Sequence, residues 1–371
     1  MRVLHVVSIM SMDGLETLIM NLYRNIDRRK VQFDFLVHHD KIGMYEEEIK
    51  RLGGKIHRIP FVKKVGHFGY IEALDNFFKN NNYDIVHSHY DQITGFILRS
   101  AKNNNVKVRI AHSHSTGNSN NFFVNLYKKY AQSFINDAST DRFACGKDAG
   151  NWLYGKKKDF KILNNGIDLS NFNFDLALKN NKKKELNLES DEILIGHVGR
   201  FDEVKNHKFL LEIFNEILKI KEKSKLILIG DGILRSEIEE QIARDNLQDK
   251  VILLGVRKDV KELLNILDLV IFPSFYEGIP LTLIENQCNG LKSYISNNVS
   301  KEVDMKCNLV EFIPLEKSPE EWARIISKDL KSRNNVDTER IKLALKNSGY
   351  DIKEIAKWLE NYYIKYNKFL R

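Results

Sequence analysis

Two series of short apolar runs, each alternating with stretches of helical period and parted by a polar segment, predict two doubly wound α/β domains. The runs have the length of buried strands. The stretches between them carry apolar residues at three- and four-residue spacing, and the alternation begins afresh near residue 193. Sheets of this kind bind ligands beyond the carboxyl ends of their strands, so the expected site is a cleft between the two domains.

The first series opens with VLHVVS (3–8), read as a buried strand, and Leu15, Leu18, Ile19, Leu22 and Ile26 then mark a helix. Further strands are expected at FDFLVH (33–38), KIHRIP (55–60), DIVHSH (84–89), VRIAHSH (108–114), RFACG (142–146) and FKILN (160–164). The second series runs ILIGHVGR (193–200), KLILIG (225–230), VILLG (251–255), DLVIFPS (268–274), SYIS (293–296) and VEFIP (310–314). Phe209, Leu210, Ile213, Phe214, Ile217 and Leu218 place a helix after its first strand. The polar, charged segment 168–192 reads as a linker and sets the domains at 1–170 and 171–349. The tail, 350–371, is an amphipathic helix with Ile355, Trp358, Leu359, Tyr362 and Tyr363 on its apolar stripe.

A chain of 371 residues, 43% hydrophobic and 29% charged, is long enough for two cores. No apolar run approaches the roughly 18–20 residues of a membrane-spanning helix. The opening MRVLHVVSIMSMDG is too short and too polar for a secretory leader. Cys145, Cys288 and Cys307 are odd in number and lack CxxC spacing, which points to a reducing, cytoplasmic setting without structural zinc. Residues 1–170 hold 25 Lys/Arg against 17 Asp/Glu, a balance of +8, while residues 171–371 hold 33 of each. A basic half attracts phosphate-bearing substrates, nucleic acid or an anionic membrane face, and equally suits a solvated lysine-rich surface.

Two acids stand out in SFYEGIPLTLIENQCNG (274–290). Pro280 suits the first turn of a helix, so the helix is expected over about 280–289, with Glu277 in the loop before it and Glu285 within it. The amides of residues 278–281 then lie at the positive end of the helix dipole, an anion site. A phosphate or diphosphate would sit there, with one carboxylate accepting from hydroxyls on each side, as in a nucleotide-sugar. The same spacing also suits two ordinary helix glutamates, one favouring the dipole and one in solvent.

PSFYEGIPLTLIENQCNG resembles the Glu-x7-Glu motif of family 4 retaining glycosyltransferases, which have the GT-B fold of two facing Rossmann-like domains. VGRFDEVKNH (198–207) is similar to that family's Gly-Arg…Lys-Asn segment, and LIGDGILRSEI (228–238) and LLGVRKDV (253–260) to its next two strand–loop units. LNNGIDLSNF (163–172) resembles the stretch that closes the first domain, and the region of IDRRKVQFDFLVH resembles the capsule and exopolysaccharide branch.

The resemblance implies a donor site on the second domain. Arg200 and Lys205, beside Gly199, would clasp the donor diphosphate, fixed cations standing in for a metal, so no cofactor is expected. Glu277 would hold donor-sugar hydroxyls and Glu285 the ribose. Gly278, Ile279 and Leu281 would offer amides, which Pro280 cannot. Val256 and Arg257 would meet the base. On the acceptor-binding first domain, His112 would face the sugar and Gly14 would approach donor or acceptor, and the closing helix 350–371 would pack back on that domain. The implied partners are a nucleotide-sugar, expected to be UDP-linked, and a cell-surface glycan acceptor, expected to be lipid-linked at the inner membrane face; nucleic acid is not expected.

One departure is DGLE (13–16), where the family has Gly-Gly-x-Glu; Asp13 and Glu16 fit a capping box at a helix start that would then bind no acceptor phosphate. Two other functions compete. His87/His89 and His112/His114 each share a strand face, and on neighbouring strands four imidazoles would converge as in a zinc hydrolase. A non-catalytic partner subunit of a two-chain transferase is the other, and Arg200, Lys205, Glu277 and Glu285 argue against it.

Overall fold

The computed structural model describes residues 1–11, 14–115, 117 and 121–369. The chain divides into two compact units, Met1–Ile167 together with Gly349–Arg371, and Asp168–Ser348.

The first unit is built on seven parallel strands, β1 (Arg2–Val7), β2 (Gln32–Val37), β3 (Ile56–Arg58), β4 (Ile85–Ser88), β5 (Val108–Ser113), β6 (Asp141–Ala144) and β7 (Lys161–Ile162). They lie in the order β3-β2-β1-β4-β5-β6-β7. Alternation along β1 sends Val3 and Val7 to one face and Leu4 and Val6 to the other. Both faces of the inner strands β1, β2, β4 and β5 are covered, which is why these read as nearly continuous apolar runs, while the edge strands β3 and β7 are more exposed. The helix Gly14–Asn25 and the closing helix Ile352–Phe369 cover the first face, where Leu18, Leu22, Ile355, Leu359 and Tyr363 are buried. Each such side chain contributes about 1.5–3 kcal/mol on burial. Trp358, expected on the buried stripe, is 42% exposed and stacks on Tyr362 instead.

The second unit is built on six parallel strands, β8 (Ile193–Val198), β9 (Ser224–Ile229), β10 (Val251–Gly255), β11 (Leu269–Phe272), β12 (Lys292–Ser296) and β13 (Val310–Ile313). Their order is β10-β9-β8-β11-β12-β13. Chain progression therefore reverses between β8 and β11, as it does between β1 and β4 in the first unit. Such reversals open a crevice at the carboxyl edge of a sheet.

Segment 168–192 is not a linker. It folds onto the second unit through the helix Leu176–Glu185, whose first turn is capped by the Asp175 carboxylate. Its lysines misled the reading because three of them are buried with partners. Lys179 Nζ lies 2.5 Å from Asp268 and also donates to Ser332 and to the Arg333 carbonyl. Lys183 donates to the carbonyls of Ser190 and Glu192, and Lys182 pairs with Asp259 at 2.9 Å. Long aliphatic stems fill the packing while the ammonium groups reach fixed acceptors.

Candidate functional site

At the reversal point of the second sheet, the loop after β8 meets the loop after β11. Asp202 caps the short turn Glu203–Lys205, and Asn206, left-handed at φ 55°, donates to the Pro273 carbonyl. The Phe275 amide donates to Val204 O at 2.9 Å, so the two loops are stitched together. The result sets Lys205 Nζ 2.5 Å from Glu277 Oε1 and 4.6 Å from the centre of the Phe272 ring. Both side chains of the pair retain some exposure, 15% and 19%.

Past Glu277, whose carbonyl accepts from Ser300 N, the chain enters the helix Leu281–Cys288. Pro280 is extended (ψ 124°) and stands just before the first turn instead of within it, so the helix begins one residue later than the proline suggested. The N–H groups of Gly278, Ile279 and Leu281 make no hydrogen bond to any described residue. They stand at the positive end of the helix, next in sequence to an acid already paired with a lysine. One turn and a little further on, the Glu285 carboxyl makes no hydrogen bond or ion pair with any described residue. Burial pushes its pKa up from 4.5 to about 7, against the pull of Lys261.

Two glycines outside the predicted site residues shape this loop cluster. A Cβ on Gly230, at φ +141°, would sit 1.9 Å from Gly199 O, and one on Gly232 would sit 2.3 Å from Phe201 O. The Gly-Asp-Gly turn after β9 therefore lets the segment 199–201 lie flat against it. Gly199 is hemmed in as well: a Cβ there would press on His197 Nε2 and the Lys205 stem. Close approach of backbone to backbone was the signal available in GDG.

Arg200 is exposed at the start of the same loop. Val256 and Arg257 follow β10, two strands away from β8; Val256 is 68% exposed, and Arg257 makes a bidentate pair with Asp259 at 2.7 Å. The second unit thus carries Gly199, Arg200, Lys205, Val256, Arg257, Glu277, Gly278, Ile279 and Leu281 on loops or helix starts at one edge of its sheet, with Glu285 a turn into the helix Leu281–Cys288. Cations, free amides and carboxylates in this order suit an anionic group flanked by hydroxylated ones.

The remaining two predicted residues belong to the first unit. Gly14 begins the helix Gly14–Asn25; Asp13, the other half of the expected capping box, lies outside the described residues. His112 ends up buried, its Nδ1 3.1 Å from His87 Nε2. β4 and β5 are neighbours, and the two His-x-His pairs converge. His5 of β1 joins them, a fifth imidazole that sequence reasoning missed because it stands alone in its strand. His5 Nδ1 is 3.0 Å from His89 Nε2, and His89 Nδ1 is 2.9 Å from His114 Nε2. His87 Nδ1 is 2.6 Å from the Tyr363 hydroxyl, which the closing helix supplies. Burial drives all five imidazoles below their ordinary range, to about 3 for His5 and His114.

Two family models match the chain, Glycosyltransferase Family 4 over residues 12–171 and Glycosyl transferases group 1 over residues 179–344. EpsF of Bacillus subtilis, named as a glycosyltransferase, is 36% identical over 98% of this chain and 96% of its own. CapH of Staphylococcus aureus, a capsular polysaccharide biosynthesis glycosyltransferase, is 27% identical over 90% and 92%. Among solved structures, HepE of Anabaena in complex with UDP-glucose superposes with a TM-score of 0.78 at 15% identity, covering 98% of this chain and all of that one.

Proposed function

The chain belongs to the family 4 glycosyltransferases and has their GT-B fold, and from this premise we propose that it moves a sugar from a UDP-linked donor to a lipid-linked acceptor, with retention at the anomeric carbon. At the coarser level it is a glycosyltransferase of polysaccharide biosynthesis, like its capsular relative.

The observation that carries the reading is the Lys205–Glu277 pair beside the free amides of Gly278, Ile279 and Leu281. In this reading the pair holds both side chains in place before the donor arrives. Donor diphosphate then takes Glu277's place on Lys205, joined by Arg200 and the amides, and Glu277 turns to the sugar hydroxyls. Glu285 accepts from the ribose, and the loop Gly255–Arg257 borders the base. As the bond from the anomeric carbon to the diphosphate oxygen breaks, charge gathers on the diphosphate, where fixed cations and amide dipoles stabilise it. The acceptor oxygen attacks from the same face and its proton passes to the departing phosphate oxygen, so the scheme needs neither a protein base nor a metal. His112 and Gly14 serve the acceptor side.

The lipid-linked acceptor has its own support. The helix Phe122–Gln132 turns Ala131 inward yet leaves Phe122, Phe123, Leu126 and Tyr130 between 48% and 78% exposed. From residue 92 to residue 136 the sequence has six Lys/Arg and no acid. Exposed aromatic and aliphatic side chains on a segment rich in cations, of which Lys102 pairs with Asp137, suit the headgroup region of an anionic membrane. Among the described residues no helix is long and apolar enough to cross one.

A thermal-shift panel of nucleotide-sugars, followed by turnover of the best binder, tests the donor. Proton NMR of the first-formed product reads the anomeric configuration. Inversion, or a panel in which no nucleotide-sugar raises the melting temperature, overturns the reading. Sedimentation with phosphatidylglycerol vesicles should show binding that 0.5–1 M salt, roughly, releases; binding that ignores salt removes the membrane from the account.

A further inference from the structure

The imidazole cluster of the first unit is larger than the transfer scheme requires, since only His112 has a part in it. A neutral imidazole has one N–H and one lone pair. In the run His5–His89–His114 each contact consumes one of each, so one end keeps an unmet N–H and the other an unmet lone pair. His5 Nε2 has no hydrogen-bond partner, His114 Nδ1 has only a loose approach from Asn165, and the run Tyr363–His87–His112 likewise ends at an unpartnered His112 Nε2. Buried polar groups left this way cost about 1–3 kcal/mol each. Apolar residues at these strand positions would avoid that cost, so the fold alone does not call for five histidines.

We propose that His89, His112 and His114 form a binding site for a divalent transition-metal ion of the Zn²⁺ type. One ring nitrogen from each lies within 4.8 Å of the others. Nitrogens bound to Zn²⁺ at about 2.0–2.1 Å in a tetrahedron stand about 3.3 Å apart, so small ring rotations close the set. His5, His87 and His89 meet the same spacing but are all buried. Of the two sets among the described residues, the one containing His114 has a partly exposed member, the side from which an ion would enter. An all-imidazole set selects Zn²⁺, Co²⁺ or Ni²⁺ over Mg²⁺ or Ca²⁺, which want oxygen. The fourth position is left to water or substrate. If the transfer scheme above holds, on which this consequence rests, the ion takes His112 away from the sugar. Zn²⁺ then inhibits transfer and a chelator restores it.

Binding is measured apart from activity, on the untagged full chain. Calorimetry with ZnCl₂ should give one equivalent at low micromolar affinity, and CoCl₂ should give the intense visible absorption of a tetrahedral ion. His114→Asn and His89→Gln should each weaken binding by at least about tenfold, since even the outer partners of metal ligands matter that much. His67→Gln, at a histidine bonded to Tyr127 elsewhere in the unit, should leave it unchanged. Absence of stoichiometric Zn²⁺ binding, an octahedral Co²⁺ spectrum, or full binding by both cluster variants overturns the site. The wild-type cobalt spectrum decides even where a cluster variant fails to fold. Metal bound without inhibition removes the regulatory consequence alone. Failure to find any sugar donor would sink the transferase scheme and leave the metal titration valid.

Discussion

In the proposed site, Glu285 should couple donor affinity to pH. Its carboxyl has a pKa of about 7 against an ordinary 4.5, because burial disfavours the charge and Lys261 offsets only part of that. In the proposed site it must be ionised to accept from two ribose hydroxyls. Protonation therefore competes with donor binding, and the apparent dissociation constant scales as one plus the proton concentration over the acid constant. Between pH 8 and pH 5.5 affinity should fall by up to about thirtyfold. UDP-glucose is the appropriate probe, because its diphosphate diester has no proton to gain in that range. Isothermal titration across the range gives the slope directly, and Glu285→Gln should bind more weakly at pH 8 and show a flat profile. Stability moves the same group's balance the other way. The native carboxyl holds its proton more tightly than the unfolded one, so its contribution is fully present below pH 4.5 and is lost as pH rises through about 7. That loss is about 2–3 kcal/mol, after allowance for residual exposure, and the glutamine variant should lack it. A wild-type affinity that is flat from pH 5.5 to 8, or a glutamine variant with an unchanged slope, would falsify the assignment of Glu285 to the donor.

Other substitutions probe the same edge of the second sheet and its support. Glu277→Ala should lower kcat by about 10²–10³-fold while changing urea stability by no more than about 1 kcal/mol, because the pair with Lys205 is partly solvated; Arg200→Ala should raise KM as well. Gly230→Ala forces a Cβ toward Gly199 O at a positive φ and should cost about 2–4 kcal/mol in chemical denaturation, weakening donor binding as the 199–201 segment shifts. Lys179→Met leaves the buried Asp268 without its ammonium partner, and a drop of about 3–5 kcal/mol in unfolding free energy is expected; a neutral outcome would mean that the backbone amides of Leu194 and Arg333 satisfy Asp268 alone.

Sequence periodicity by itself determined the two sheets. Every expected strand is present within a few residues, because strands buried on both faces must be continuously apolar and the helices between them must repeat at 3.6. The family resemblance put Gly199, Arg200, Lys205 and Glu277 on the loops after β8 and β11 and Glu285 in the helix that follows, and the fold has them there. Charge misled where burial was hidden: the lysines of 168–192 look like a solvated linker until Asp268 and the carbonyls of Ser190 and Glu192 are in view.

Only tertiary structure decided which groups touch. Lys205 and Glu277 lie 72 residues apart and meet because β8 and β11 are neighbours at a reversal of strand order, a non-local pairing that local periodicity does not encode. The same holds for His5, brought against His89 across the β1–β4 reversal, and for Tyr363, which reaches His87 from the far end of the chain. Spacing along a chain fixes which face a side chain takes; which other face it meets depends on how sheets order their strands, and that is settled by packing the whole unit at once.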